Sequence, residues 1–240
     1  MTIRRKKSEK LKAAIRRRGG VLRTSEAVRL GIHPQTLYSL LDKGTLAQLD
    51  RGLYTLADAP EPSNPDLTIL ARRVPKGIVC LLSALAFHEV TTQLPREVHL
   101  ALPRGTKTPR LRRPPLRVFR FSDVSFSEGV EKHRTDGVEI RVYSPAKTVA
   151  DCFKFRNKIG LDVALEALRE CWRKRLVTMD GLWKYAKVCR VANVMRPYLE
   201  SLGVLGAYRE MARDKTREAD AANWAEGTTP NATTARRRVV

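Results

Sequence analysis

Acidic residues are scarce in this chain: 25 Asp and Glu stand against 46 Lys and Arg, a formal net charge of +21. Such an imbalance implies a polyanionic partner or an acidic membrane surface. Long apolar runs are missing too. No stretch approaches the ~18 uninterrupted apolar residues that a spanning helix needs. The basic start, Met-Thr-Ile-Arg-Arg-Lys-Lys, leads into no signal-type apolar core, because Leu11–Ile15 is short and runs into Arg16-Arg17-Arg18. The expected location is the cytoplasm. Cysteine and histidine are few and dispersed. Cys80, Cys152, Cys171 and Cys189 form no CxxC pair, and His33, His88, His99 and His133 fall at no ligand spacing. That pattern disfavours a zinc site or a disulfide framework, so neither a metal nor a cofactor is expected. Each cysteine sits among apolar neighbours, which suits a small buried hydrophobe. Catalytic motifs are likewise wanting: there is no Gly-rich phosphate loop and no GxSxG, and His88-Glu89 is one His short of HExxH. The expectation is therefore a protein that is not an enzyme.

What is present falls into zones. Hydrophobic residues make up 42% of the chain, enough for a packed core. Residues 1–58 are basic and dense in short periodic segments. Residues 59–65 hold three prolines in six positions, which can continue neither a helix nor a central strand, and they read as a linker. Residues 66–208 alternate helical and strand-like patterns, and residues 209–240 are Ala/Thr/Arg-rich and read as a basic, solvated tail.

In the first zone, Leu11, Ala14 and Ile15 set an apolar stripe on a helix over 8–18, capped by Ser8 and stopped by Gly19-Gly20. Val21-Leu22 is extended. Thr24 or Ser25 caps a second short helix, with Glu26 in its first turn, ending at Gly31. His33 stands at a cap position and Pro34 at the first position of a third helix, whose inward stripe is Leu37, Leu40 and Leu41. Leu46–Leu49 and Leu53–Leu56 then flank a tight Asp50-Arg51-Gly52, a β-hairpin. Helix, short helix, glycine turn, helix, hairpin is the order of a winged helix-turn-helix. A third helix braced on two others can enter the ~12 Å major groove of DNA. Off its apolar stripe that helix carries Gln35, Thr36, Tyr38 and Ser39, the expected base-contacting residues: Gln can read adenine bidentately and Thr can meet a thymine methyl. Arg51 at the hairpin tip, with Arg4, Arg5, Lys6, Lys7, Arg16, Arg17 and Arg18, is expected to contact the DNA backbone, which positions a protein without reading sequence.

In the middle zone, Asp66–Val74 and Ser83–His88 read as helices, the second capped by Ser83; Val98–Leu102, Val118–Phe121 and Val138–Tyr143 read as strands. Ser144-Pro145 opens a helix, and Leu161–Leu176, Met179–Val188 and Ala192–Leu202 continue an amphipathic helical run. The fold class is α+β: an N-terminal winged helix-turn-helix, then a mixed α/β domain with a helical second half. Lys147 and Asp151 lie at i,i+4 on one helical face, as a surface salt bridge worth a few tenths of a kcal/mol or as a functional, partner-facing site. Arg104, Lys107, Arg110, Arg112, Arg113 and Arg117 form a second basic run, kept extended by Pro103, Pro109, Pro114 and Pro115. If it touches phosphate, the whole chain should show a steeper salt dependence than residues 1–60 alone. Two alternatives stay open: a nuclease-like enzyme using Asp136 and Glu139, and an RNA-binding protein using the proline-broken loop.

The run from Gly20 to Ala27, Gly31-Ile32-His33-Pro34-Gln35-Thr36-Leu37-Tyr38, and Leu49-Asp50-Arg51-Gly52-Leu53-Tyr54 resembles the N-terminal domain of AbiEi antitoxins of type IV toxin–antitoxin systems. Ser83–His88, Thr91–Pro95, Val98–Gly105 and Tyr143–Phe153 are similar to that family's second domain. The resemblance covers roughly residues 8–200. It implies a transcriptional autorepressor that binds inverted repeats of double-stranded DNA in its own promoter, and so associates with the nucleoid; operators of winged-helix repressors commonly have two half-sites, so two copies per operator are expected. It also implies a nucleotidyltransferase-like toxin, opposed without a stable complex, and lends Lys147 and Asp151 their functional reading.

Overall fold

Gly19 and Gly20 end the first helix on positive φ (72° and 76°), a conformation that costs an L side chain about 1–2 kcal/mol. The computed structural model describes residues 2–60, 62–111 and 113–203, with side chains from Ser8 onward. Helix α1 (Thr2–Arg17) starts earlier than the Ser8 cap predicted, because the Thr2–Lys7 segment holds no helix breaker. Strand β1 (Leu22–Arg23), helices α2 (Thr24–Arg29) and α3 (Pro34–Asp42), and the hairpin β2 (Leu46–Asp50) and β3 (Leu53–Leu56) follow, and the three strands pair in the order β1-β3-β2. This is the winged helix-turn-helix expected from the sequence.

Its capping differs in one place. Thr24 is the first residue of α2 rather than its cap; Arg23 holds that position and donates its backbone N–H to Glu26 Oε2 at 2.9 Å. Thr24 instead ties the helix start to the wing, its N–H reaching the Gly52 carbonyl at 3.0 Å. At α3 the expected geometry is present: Pro34 occupies the first turn and His33 Nδ1 accepts the Gln35 N–H at 3.3 Å. Leu11, Ile15, Leu22, Ala27, Ile32, Leu37 and Tyr54 are buried in one cluster, with Leu40 and Leu41 packed partly exposed against it.

The α/β body runs α4 (Pro65–Arg73), β4 (Ile78–Val79), α5 (Leu81–Phe87), β5 (Val98–Pro103), β6 (Leu116–Phe121), α6 (Asp123–Ser127), β7 (Val130–Thr135), β8 (Val138–Tyr143), α7 (Pro145–Lys154), α8 (Arg156–Ile159), α9 (Leu161–Arg173) and α10 (Met179–Val188). Its five-stranded sheet has the order β6-β5-β4-β8-β7 and is mixed: β5–β6 and β4–β8 are parallel, β4–β5 and β7–β8 antiparallel. Ser83 lies inside α5, not at its cap; Cys80 is the cap residue, and Ser83 Oγ accepts the His99 N–H at 2.9 Å. All four cysteines are free and buried. A second compact unit begins at Asn193, and its described part is helical through residue 203. The tail expected over 209–240 lies outside the described residues. Among the described residues, no helix is long and apolar enough to cross a membrane.

Winged module and body share one compact unit that runs to Ala192. Val21 and Leu53 bury themselves against Ile69 of α4. Adjacent arginines of α4 clamp the module at two points. Arg73 forms an ion pair with Asp50 at 2.8 Å and donates to the Arg51 carbonyl, while Arg72 donates to the Arg18 carbonyl. Gly19 also meets Gly137 of the β7–β8 turn, backbone on backbone, and Asp136 of that turn accepts the Ser63 N–H at 2.8 Å.

Candidate nucleic-acid interface

Helix α3 turns Leu37 inward, and the 100° step per residue puts Gln35 and Ser39 opposite it with Thr36 and Tyr38 on the flanks; Gln35 and Tyr38 are exposed, Thr36 and Ser39 half-buried. Tyr38 is 58% exposed, which a core-edge aromatic would not be. The helix forms a ridge between two grooves. On one side, a hollow of about 420 Å³ is lined by Ser8, His33, Gln35, Thr36, Ser39 and Lys43. On the other, an open groove of about 760 Å³ is lined by Tyr38 together with Arg23, Arg51, Tyr54, Arg73 and Arg110. The four residues expected to read bases thus divide: Gln35, Thr36 and Ser39 border one groove and Tyr38 the other.

Arg51 stands exposed at the wing tip, held there because its own carbonyl accepts from Arg73 and the neighbouring Asp50 is locked in the Arg73 ion pair. Arg110, from the proline-broken segment, reaches the groove of Tyr38 and Arg51 across more than fifty residues of sequence. Sequence reasoning could not place that segment, because only the β5–β6 pairing carries it toward the wing. Arg110→Ala should therefore lower the salt slope of duplex binding by about 0.9, one phosphate contact. Affinity titrations at three or more salt concentrations would show it, and an unchanged slope would remove Arg110 from the interface.

Arg16, Arg17 and Arg18 are exposed at the far end of α1, eight or more residues past Ser8, or at least about 12 Å along the helix. Arg17 and Arg18 line a separate hollow facing α4 and the β7–β8 hairpin. Arg4, Arg5, Lys6 and Lys7 lie on the α1 turns before Ser8, at the end nearer α3; their side chains fall outside the described residues.

Lys147 and Asp151 are not on the surface. Both side chains have no exposed area, and their ion pair closes at 2.6 Å. The ammonium lies over the Tyr143 ring at 4.1 Å, and Cys189 Sγ donates to Asp151 Oδ1 at 3.2 Å. Burial pushes the Asp151 carboxyl up, with Lys147 and Cys189 opposing it. The surface-bridge expectation is therefore corrected, and a partner could not reach either group in this conformation. Asp136 and Glu139, the nuclease-type candidates, are engaged apart: Asp136 with Ser63, Glu139 with Lys132 at 3.3 Å. No group of three or more His, Cys, Asp or Glu that could hold a metal occurs among the described residues. His88 donates to the Tyr143 carbonyl at 2.8 Å, a satisfied edge histidine.

Residues 9–57 match the family described as transcriptional regulator, AbiEi antitoxin. Over that segment the chain is similar to AbiEi-type regulators. The match spans the second half of α1, then α2, α3 and the wing, and so takes in Gln35, Thr36, Tyr38, Ser39 and Arg51. Among the curated proteins compared, none matches this sequence. The chain is also similar to the crystal structure of the RV2827C protein from Mycobacterium tuberculosis, at 12% identity over 78% of this chain and 77% of that one, with a TM-score of 0.44.

Proposed function

We propose that this protein is a sequence-specific DNA-binding transcriptional repressor of its own operon, acting as the antitoxin of a type IV pair. The carrying observation is helix α3, which presents Gln35 and Tyr38 outward, beside a wing that holds Arg51 exposed at its tip. Residues 1–58 serve as the DNA-binding domain, with Gln35, Thr36, Tyr38 and Ser39 meeting base edges. Arg51 and the Arg4–Lys7 turn supply phosphate contacts. Arg16, Arg17 and Arg18 drop out of that set because they sit at least about 12 Å along α1 from the α3 groove. The operator is an inverted repeat taking two copies. The AbiEi-type module supports a nucleotidyltransferase-like toxin as the functional partner, opposed through residues 66–208 without a stable complex.

Gln35→Ala should weaken binding to the cognate site by about 1–3 kcal/mol and leave random duplex nearly unaffected. Parallel titrations on both sequences check it. A uniform loss would make Gln35 a backbone contact, and no loss on either would take α3 out of the major groove. If a nucleotidyltransferase-like gene lies beside this one, co-expression of the two should restore the growth that the toxin alone arrests, without the two proteins copurifying. Failure to restore growth would leave a regulator without antitoxin activity.

A further inference from the structure

The hollow at the far end of α1 is built unlike the α3 grooves. Its volume is about 320 Å³, and its lining includes Arg17 and Arg18 from α1, Arg72 from α4, and Arg134 and Arg141 from the β7–β8 hairpin. Among the described residues Glu139 is the one carboxylate in that lining, and it is already paired with Lys132. Some of the guanidinium charge is answered from behind: Arg18 meets Glu26 at 2.7 Å, and Arg72 meets the same carboxylate at 3.9 Å. Arg17 and Arg134 have no ion pair among the described residues. The Nε atoms of Arg72 and Arg141 are buried without a hydrogen-bond partner. Burial pulls Arg72 below its ordinary value, with Glu26 opposing and Arg23 and Arg18 adding to the fall. Five arginines brought to one hollow repel one another, and an anion lodged among them relieves that repulsion.

We propose that this hollow binds a compact multivalent phosphate anion of the pyrophosphate or triphosphate class. Guanidinium groups match phosphate oxygens bidentately, and several converging on one concavity favour an anion carrying several charges. Among the described residues no aromatic side chain lines the hollow, so its lining offers no stacking platform for a nucleobase. The anion itself, rather than a nucleoside, is the recognised part. The hollow lies about 14 Å along α1 from the groove of Ser8 and Gln35, which sets it off the α3 face and separates this ligand from operator DNA. Because α1 belongs to the winged module and α4 and the hairpin to the body, an occupant would tie the two together.

The test uses the full chain with tripolyphosphate, and sulfate at matched ionic strength as the control. Calorimetric titration should give saturable binding of one anion per chain, at least tenfold tighter than sulfate. Arg17→Ala with Arg134→Ala, two exposed residues whose loss leaves no ion-pair partner behind, should weaken that binding at least tenfold. The double variant should keep the wild-type thermal midpoint without anion. Arg16→Ala, on α1 but outside the hollow, should bind tripolyphosphate as wild type does. Tripolyphosphate binding no tighter than sulfate would overturn the proposal, as would equal loss in the Arg16 variant. Loss of random-duplex affinity and salt slope in the double variant, with no specific anion binding, would also overturn it and assign the hollow to the DNA backbone.

Discussion

Lys147→Met should destabilise the folded protein by about 3–5 kcal/mol, the cost of leaving a buried charge without its partner. The substitution is close to isosteric, so packing against Tyr143 and Phe121 is largely kept and the loss is electrostatic. Asp151 has no exposed surface, and beyond Lys147 the Cys189 thiol is the one donor to its side chain among the described residues. Burial already raises the Asp151 carboxyl above its ordinary value, and removing the ammonium takes away the largest opposing influence. A carboxyl whose folded value is raised binds its proton more readily folded than unfolded. The variant should accordingly be most stable in acid and lose stability as pH rises through the folded value. Removing both charges, as Lys147→Met with Asp151→Leu, should recover most of the loss. Urea titrations of the three proteins at two pH values decide it. A single variant within about 1 kcal/mol of wild type would mean the pair is open to water after all.

Gly137→Ala is expected to cost about 2–5 kcal/mol, from overpacking at ~1–3 and a left-handed backbone at ~1–2. Gly137 has φ 75°, and a β-carbon there would fall on the backbone of Gly19, so backbone must shift for the methyl to fit. Gly20→Ala separates the two contributions. Gly20 has φ 76° with nothing within 4 Å of an added β-carbon, so it should lose only the conformational part. Gly137→Ala should in addition loosen the winged module from α4 and speed proteolytic cutting in residues 59–65. Equal losses in the two variants would mean that the Gly19–Gly137 contact yields freely.

The winged module was legible because its instructions are local. Gly31, His33-Pro34 and Asp50-Arg51-Gly52 each fix a turn or a helix start within a few residues, and the leucine spacing does the rest. The body was legible where strands alternate, as in Val138–Tyr143. It was opaque where pairing is decided at a distance. Strand β7, Val130–Thr135, is an edge strand of Glu, Lys, His and Arg that reads as a solvated loop until β8 pairs with it. Strand β4 is two residues long and carries no periodicity of its own. The Lys147–Asp151 pair shows the limit most directly. Spacing gave the contact, but burial depends on Phe121, Tyr143 and Cys189 converging from separate elements. Of the candidate interface, Gln35 and Arg51 follow from the helix phase and the wing turn. Arg110, and the divergence of Arg17 and Arg18 from α3, follow only from the tertiary fold.

The most direct test of the central claim is a binding titration on the DNA upstream of the gene, with random duplex as competitor, at two salt concentrations. A sequence-specific regulator should prefer the upstream DNA by ~10³ or more and keep that preference as salt rises. Steep salt dependence with no preference would contradict the account: the charge would still bind nucleic acid, but α3 would not be reading bases.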